Sequence, residues 1–172
     1  RNLEKAELAR RSILGSGGGR IDDSQLDLLE LDLNSLASTR RSADVFNSRG
    51  RPLHLLVNNA GIMIPMLRRT EDGFEAHLGI NHLAHVLFTN LLLVALRAAG
   101  RARVVMVSSL AMSGATLTPA LHDLNWEQRK FRGFASYGDS KLMNLMFARE
   151  LHRRYAKDGI VANALHPGII ST

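Results

Sequence analysis

Apolar residues recur at helical spacing in four stretches of the chain, and this spacing predicts amphipathic helices. The stretches are residues 2–14, 35–49, 74–95 and 136–159. Gly50 follows the second stretch, where glycine commonly ends a helix. Thr70 is a typical N-cap residue ahead of the third helix, and Gly100 is expected to close it.

Short apolar runs alternate with these helices and predict four strands. The runs are residues 26–31, 53–57, 104–107 and 160–165. Because strands that alternate with helices form parallel βαβ units, the predicted fold class is α/β, with an open, doubly wound parallel sheet and helices on both of its faces. A single domain over residues 1–172 is expected, since no domain linker or internal repeat interrupts the pattern.

Polar residues and glycines follow each predicted strand at the point where it ends. Asp32 follows the first strand, residues 58–61 (Asn-Asn-Ala-Gly) the second, Ser108 and Ser109 the third, and residues 166–168 (His-Pro-Gly) the fourth. Ligands of open parallel sheets bind beyond the carboxyl ends of the strands. The sequence therefore predicts a ligand site at this edge of the sheet.

Composition and charge narrow the class of protein. The hydrophobic content of 45% and charged content of 22% are ordinary for a globular domain. The net charge of +6 is spread over many segments without a block of five like charges, which favours solvated helix faces over a nucleic-acid partner. The most apolar run, residues 86–96, is shorter than the roughly 20 residues of a transmembrane helix. There are no cysteines, which excludes disulfides and fits a cytoplasmic location.

Three further patterns could suggest a phosphate loop, a hydrolase nucleophile and a metal site, but each lacks a feature that the function requires. The glycine run at residues 15–19 follows a helix rather than a strand, so we interpret it as a surface linker and not as a phosphate loop. Ser108 and Ser109 lack the flanking glycines of a hydrolase nucleophile elbow. His82 and His85 have no third ligand at metal-binding spacing, so core or capping roles are expected and no metal site is predicted.

Tyr137 and Lys141 stand four residues apart near the start of the last helix and therefore share one helix face. A free tyrosine has a pKa of about 10, so a base role at neutral pH needs a nearby positive charge, which Lys141 supplies only in part. Asn81 interrupts an apolar stripe. Its buried amide must be hydrogen-bonded, either structurally or to a water beside the site, and the sequence favours neither alternative.

Together these residues resemble the motifs of the classical short-chain dehydrogenase/reductases. Within that superfamily they resemble most the retinol-dehydrogenase-like branch. The matching pieces are residues 58–61 (NNAG), 81–85 (NHLAH), 108–111 (SSLA), 123–126 (DLNW), Tyr137 with Lys141, and residues 167–168 (PG). The resemblance covers essentially the whole chain. It implies a Rossmann-like parallel sheet and an NAD(P)-dependent oxidoreductase that interconverts an alcohol and a ketone or aldehyde.

The resemblance also implies a role for each matching residue. Tyr137 would be the general acid/base, Lys141 would lower its pKa and bind the nicotinamide ribose, Ser109 would hold the substrate oxygen, and Asn81 would order a water. The implied cofactor contacts are Arg1, Asp32, Leu33, Asn59, Ala60, Gly61, Tyr137, Lys141, Pro167, Gly168, Ile170 and Thr172. Arg1 stands where this branch often has an arginine for the 2′-phosphate, which favours NADP over NAD.

The family's first two strands and its TGxxxGxG turn precede the helix that begins this chain, and none of them is present. The resemblance therefore implies an incomplete Rossmann-like domain, trimmed at both ends. An alternative hypothesis is a truncated, catalytically inactive fragment that acts only as a structural or interaction module. The expected substrate is a small hydrophobic alcohol or carbonyl compound, and assembly as a homo-oligomer is compatible with the sequence.

Overall fold

The computed structural model describes residues 2–16, 21–116 and 121–168. By its internal contacts the chain divides into two units, Arg1–Asp32 and Leu33–Thr172. A single domain over residues 1–172 stays a prediction.

The first unit is built on helix α1, Leu3–Ser16. The Asn2 side chain accepts the Lys5 amide at 2.8 Å and caps the helix, so the predicted helix over residues 2–14 is confirmed. A short 3₁₀ turn, Asp23–Gln25, follows, with Asp22 and Gln25 forming a capping box.

The strand predicted over residues 26–31 is wrong, because these residues have no regular secondary structure. An apolar run becomes a strand only where a neighbouring strand supplies a hydrogen-bond ladder. The sheet of the described residues contains three strands, all of them after residue 54. The periodicity identified an apolar segment correctly but carried no information about its partner.

The second unit begins with helix α2, Leu36–Ser48. Ser35 caps it by accepting the Ser38 amide at 3.3 Å, and Gly50 ends the segment with a φ of +61°. That left-handed conformation favours glycine. The helix predicted over residues 35–49 is therefore confirmed within one residue at each end.

The three strands are β1 (Leu55–Asn58), β2 (Ala102–Val107) and β3 (Ile160–Leu165). They pair in parallel in the order β1-β2-β3, which confirms the α/β class. Val104, Met106 and Ile160 are fully buried in the core under this sheet. By contrast, Leu55 and Val57 of the edge strand β1 are 54% and 50% exposed.

The connection from β1 to β2 runs through three consecutive helical segments. A π-helix, His77–Leu83, continues into α3, Ala84–Leu91, and a break at Leu92 precedes α4, Leu93–Ala98. The predicted N-cap at Thr70 is wrong, since its hydroxyl instead accepts the Phe74 amide within a turn. The first helical amides are satisfied by the buried Glu75 carboxylate, which the hydrophobic pattern did not identify as a cap.

Helix α5, Gly133–Tyr155, connects β2 to β3. Its buried apolar residues, among them Ala148 and Leu151, pack in the same core cluster as β2 and β3. A parallel pair of strands requires such a crossover. Within the described ranges, no helix combines the length and the hydropathy that crossing a bilayer requires.

Candidate active site

A cavity of about 520 Å³ lies beyond the carboxyl ends of all three strands. Residues 59–63, 107–109 and 166–168 line it, together with Tyr137 and Lys141 of α5. The sequence placed most of these groups at successive strand ends, and the parallel sheet brings them to one edge. The cavity is within the size range of small-molecule sites.

Tyr137 and Lys141 both line this cavity, one helical turn apart. The Lys141 ammonium lies 5.5 Å from the centroid of the Tyr137 ring. Lys141 is only 4% exposed, and its Nζ donates to the Val107 carbonyl at 2.9 Å. Burial lowers the pKa of Lys141 from its ordinary value. Because the Lys141 ammonium has three N–H donors and uses one of them for Val107, it keeps two for other partners.

The two serines after β2 have different environments. Ser108 is buried, and its hydroxyl donates to the Lys141 carbonyl at 2.7 Å, which ties the end of β2 to α5. Ser109 is half-buried and caps the 3₁₀ helix Leu110–Gly114, its hydroxyl oxygen accepting the Ala111 amide at 3.2 Å. Accepting that bond leaves the Ser109 O–H free to donate. Of the pair, Ser109 has the hydroxyl proton to offer a ligand.

Asn81 is completely buried, and all of its polar groups have partners. Its Oδ1 accepts the Ile62 amide at 2.8 Å, while Nδ2 donates to the Ile62 carbonyl at 2.9 Å and to Ser140 Oγ at 3.2 Å. Its backbone carbonyl accepts Asn144 Nδ2 at 2.9 Å. The side chain of Asn81 therefore clamps the cavity loop, and its role in ordering a water beside the site stays a prediction.

Gly61 marks a close approach in this loop. A Cβ there would lie 3.2 Å from Asn81 Oδ1 and 3.4 Å from Lys141 Nζ. A side chain at position 61 would therefore crowd the Asn81 amide and come into ordinary contact with the Lys141 ammonium. Glycine keeps this wall of the cavity open.

His82 and His85 lie on the helix behind Lys141. His82 Nδ1 is 3.0 Å from Asn144 Oδ1, and burial lowers its pKa. Burial, and then the charges of Lys141 and His82, lower the pKa of His85 to about 4. Both shifts favour the neutral form of the two imidazole rings. The described residues contain no group of three metal-ligating side chains.

Two residues next to the site were missed by the sequence analysis. Glu75 and His77 are fully buried, with His77 Nδ1 3.0 Å from Glu75 Oε1. The His77 ring meets the Tyr137 ring edge-on at 5.9 Å. An acidic residue two positions before a histidine, both inside an apolar segment, was the available signal.

The remaining predicted cofactor contacts fall into three groups: residues that line the cavity, residues that do not, and residues outside the described ranges. Asn59, Ala60, Pro167 and Gly168 line the cavity beside Tyr137 and Lys141. Leu33 is in the same unit but does not line the cavity, and Asp32 ends the other unit. Arg1, Ile170 and Thr172 lie outside the described residues. His166 Nδ1 is buried in the cavity wall without a hydrogen-bond partner among the described residues.

Comparison with protein families gives one family match. A model described as short chain dehydrogenase matches residues 15–119, which is more than half of the chain. Retinol dehydrogenase 12 from Homo sapiens is 43% identical over 172 residues, covering 99% of this chain and 52% of that protein. The chain spans about half the length of the curated relatives it matches.

Solved structures show the same fold. A crystal structure of an uncharacterised protein from Mycobacterium paratuberculosis superposes with a TM-score of 0.77 at 42% identity, covering 92% of this chain and 56% of that one. A gluconate 5-dehydrogenase from Burkholderia cenocepacia, in complex with NADP and tartrate, superposes with a TM-score of 0.70 at 25% identity, covering 100% and 60%. The predicted Rossmann-like parallel sheet is confirmed.

Proposed function

The chain belongs to the short-chain dehydrogenase family, and on that premise we propose that the whole protein is an NAD(P)-dependent oxidoreductase. It interconverts an alcohol and a ketone or aldehyde by hydride transfer. The observation that carries the proposal is the convergence of Ser109, Tyr137 and Lys141 on one cavity at the carboxyl edge of the sheet.

In this proposal Tyr137 is the general acid/base. In the reductive direction its hydroxyl gives a proton to the carbonyl oxygen of the substrate, and in the oxidative direction it takes the proton back. Ser109 donates a hydrogen bond to the same oxygen. The buried Lys141 ammonium holds positive charge beside the tyrosine, which favours the phenolate that forms when the proton leaves.

The residues of the cavity fit a nicotinamide nucleotide. Gly61 leaves room on one wall, and Lys141 keeps two donors for ribose hydroxyls. When bound, the nicotinamide supplies or accepts the hydride. Asn59, Ala60, Pro167 and Gly168 are the other proposed contacts among the described residues. The choice of NADP rests on Arg1 and on the NADP that the gluconate 5-dehydrogenase structure contains.

The proposed substrate is a small hydrophobic alcohol or carbonyl compound. The supporting observation is similarity to proteins named retinol dehydrogenase and polyprenol dehydrogenase. Neither nucleic acid nor a membrane-spanning segment has a part in the proposal. Homo-oligomer formation and a cytoplasmic location stay predictions.

The test compares two tyrosine variants of the full-length protein. Tyr137→Phe should remove nearly all NADPH-dependent turnover while leaving cofactor binding intact. Tyr155→Phe is the matched control, since Tyr155 lies at the far end of the same helix with Arg97 over its ring at 5.1 Å. It should keep normal turnover. Wild-type turnover in Tyr137→Phe would refute the assignment.

The second candidate, a catalytically inactive module, concerns the 172-residue chain by itself. The observation behind it is that this chain spans about half of its curated relatives. Fluorescence titration of the chain with NADPH separates the two candidates. Micromolar binding would refute the inactive module, whereas no binding by the chain alongside activity of the full-length protein would support it.

A further inference from the structure

Glu75 and His77 form a buried pair that has no part in the proposed chemistry. Both are fully buried; Glu75 lies two residues before the π-helix, and His77 is its first residue. Nothing in the proton or hydride transfer described above uses either residue. Their contacts nevertheless reach two parts of the candidate active site, the Tyr137 ring and the loop of residues 61–64.

The hydrogen bonds of the His77 ring determine where its proton lies. Nε2 accepts the backbone amide of Ile64 at 2.9 Å. In the neutral ring the proton is therefore on Nδ1, as assigned from this network. Nδ1 is 3.0 Å from Glu75 Oε1 and 3.2 Å from Ser136 Oγ. Protonating Nε2 would set a second N–H against the Ile64 amide and break that contact.

The Glu75 carboxylate fixes the other side of the ring. Its oxygens also accept the backbone amides of His77 at 3.0 Å and Leu78 at 2.8 Å. Burial by itself raises the pKa of Glu75, but the hydrogen bonds from His77 and Leu78 outweigh it and hold the pKa below its ordinary value. An ionised carboxylate that is anchored to the backbone can hold the Nδ1–H of His77 in one orientation.

The oriented ring then touches the tyrosine. It stacks on Phe131, with the centroids 6.4 Å apart and the planes 8° from parallel. It meets the Tyr137 ring edge-on, at 5.9 Å and 73°. Edge-to-face packing prefers one geometry. The His77 ring therefore fixes where the Tyr137 ring lies.

The same ring holds the cavity loop. His77 and Asn81 are four residues apart, and they bind alternate residues of the loop, Ile64 and Ile62. Gly61, Ile62 and Met63 line the cavity. A shift of the His77 ring would therefore move this wall of the cavity as well as the tyrosine.

We propose that the Glu75–His77 pair is a positioning pair for the oxidoreductase reaction. The Glu75 carboxylate orients the His77 imidazole. The ring of that imidazole holds Tyr137, and its Nε2 holds the cavity loop of residues 61–64. This inference rests on the proposed function. The His77 side chain has two roles, the ring contact with Tyr137 and the hydrogen bond to Ile64. A substitution that removes only one of them should therefore change only one kinetic parameter.

The experiment uses the full-length protein and reports kcat per folded molecule together with KM for NADPH. His77→Gln replaces the ring by an amide that can still accept the Ile64 N–H and donate to Glu75. It should lower kcat about ten- to a hundredfold, because a misplacement of about 1 Å at a reacting group costs up to about a hundredfold. KM for NADPH should stay within threefold of wild type.

His77→Phe keeps an aromatic ring against Tyr137, and the Glu75 carboxylate keeps its hydrogen bonds from the backbone amides of residue 77 and Leu78. It removes the acceptor for Ile64, so KM for NADPH should rise about tenfold while kcat stays within threefold. His152→Gln is the control, an exposed histidine of α5, and should change neither parameter.

The outcomes distinguish this inference from the proposed function. If Tyr137→Phe is inactive but both His77 variants match the control, the pair does not position the site and the inference fails. If both variants lower kcat and raise KM for NADPH to the same extent, the pair is only structural, and the inference also fails. If Tyr137→Phe keeps its turnover, the proposed function fails first. A fall in kcat alone for His77→Gln, together with a rise in KM for NADPH alone for the His77→Phe variant, supports the positioning role of the pair.

Discussion

Gly138 sets the distance between the two segments that carry Ser109 and Tyr137. It follows Tyr137 in α5 and packs on the 3₁₀ helix Leu110–Gly114. A Cβ at position 138 would lie 2.6 Å from the Ala111 carbonyl oxygen, whereas ordinary contact begins at 3.4 Å. The clashing atom belongs to the backbone, so Gly138→Ala must move one segment away from the other by about 0.8 Å.

The size of the effect follows from two opposing contributions. Forcing an extra methyl group into a packed contact costs about 1–3 kcal/mol. Alanine in a helix is favoured over glycine by about 0.5–1 kcal/mol, so the net loss of unfolding free energy is expected to be about 0–2.5 kcal/mol. The displacement also separates Ser109 from Tyr137, and we expect kcat to fall about tenfold or more because reacting groups tolerate little misplacement.

Urea unfolding and NADPH-dependent turnover of the full-length protein measure these two effects. Gly15→Ala makes the same chemical change in α1, where no atom of the described residues outside the helix itself lies within 4 Å of the added Cβ. That control should keep full activity and gain up to about 0.5–1 kcal/mol, from helix propensity alone. The close packing of α5 on the 3₁₀ helix would be refuted if Gly138→Ala were as active and as stable as Gly15→Ala.

Three further predictions concern stability. Asn144→Leu removes the donor to the buried Asn81 carbonyl and should destabilise the fold by about 1–3 kcal/mol in denaturant unfolding; an unchanged midpoint would contradict the bond of 2.9 Å. Burial lowers the pKa of Lys141 from 10.5, so the unfolded chain binds this proton more tightly, and stability should rise with pH from the folded pKa up to about 10.5. Lys141→Met should flatten that rise in urea midpoints measured across pH, and an equally steep rise would exclude Lys141 as its source. Gly159→Ala combines a φ of +81° with a Cβ that would overlap the Gly100 carbonyl oxygen, whereas Gly50→Ala has a φ of +61° and open space. Both should pay about 1–2 kcal/mol for the left-handed backbone, and only Gly159→Ala should pay about 1–3 kcal/mol more for overpacking, so equal losses in thermal unfolding would contradict the clash.

The sequence predicted those elements whose ends are determined by neighbouring residues. Ser35 and Gly50 bound α2 through contacts within a few positions, and β3 has the predicted bounds, residues 160–165. Residues 26–31 show the opposite case. Whether an apolar run becomes a strand depends on a partner that is distant in sequence, and periodicity does not contain that information.

The candidate site was predictable where its residues follow strand ends. Residues 59–61, Ser109 and residues 166–168 meet because parallel strands end at one edge of the sheet. Tyr137 and Lys141 reach the same edge from helix α5. The π-helix was not predictable, since its five-residue hydrogen bonds, such as that from the Ala84 amide to the Gly79 carbonyl, leave the apolar stripe almost unchanged. His77 was missed for a related reason, because its function depends on contacts with three separate segments.

The edge strand β1 carries apolar side chains on a solvent-exposed face. Leu55 and Val57 are about half exposed on the same face of the edge strand β1. A sheet edge with exposed apolar side chains is a template for strand addition by another molecule. In concentrated solution, or on warming, we therefore expect the 172-residue chain to aggregate through β1 despite its net charge of +6.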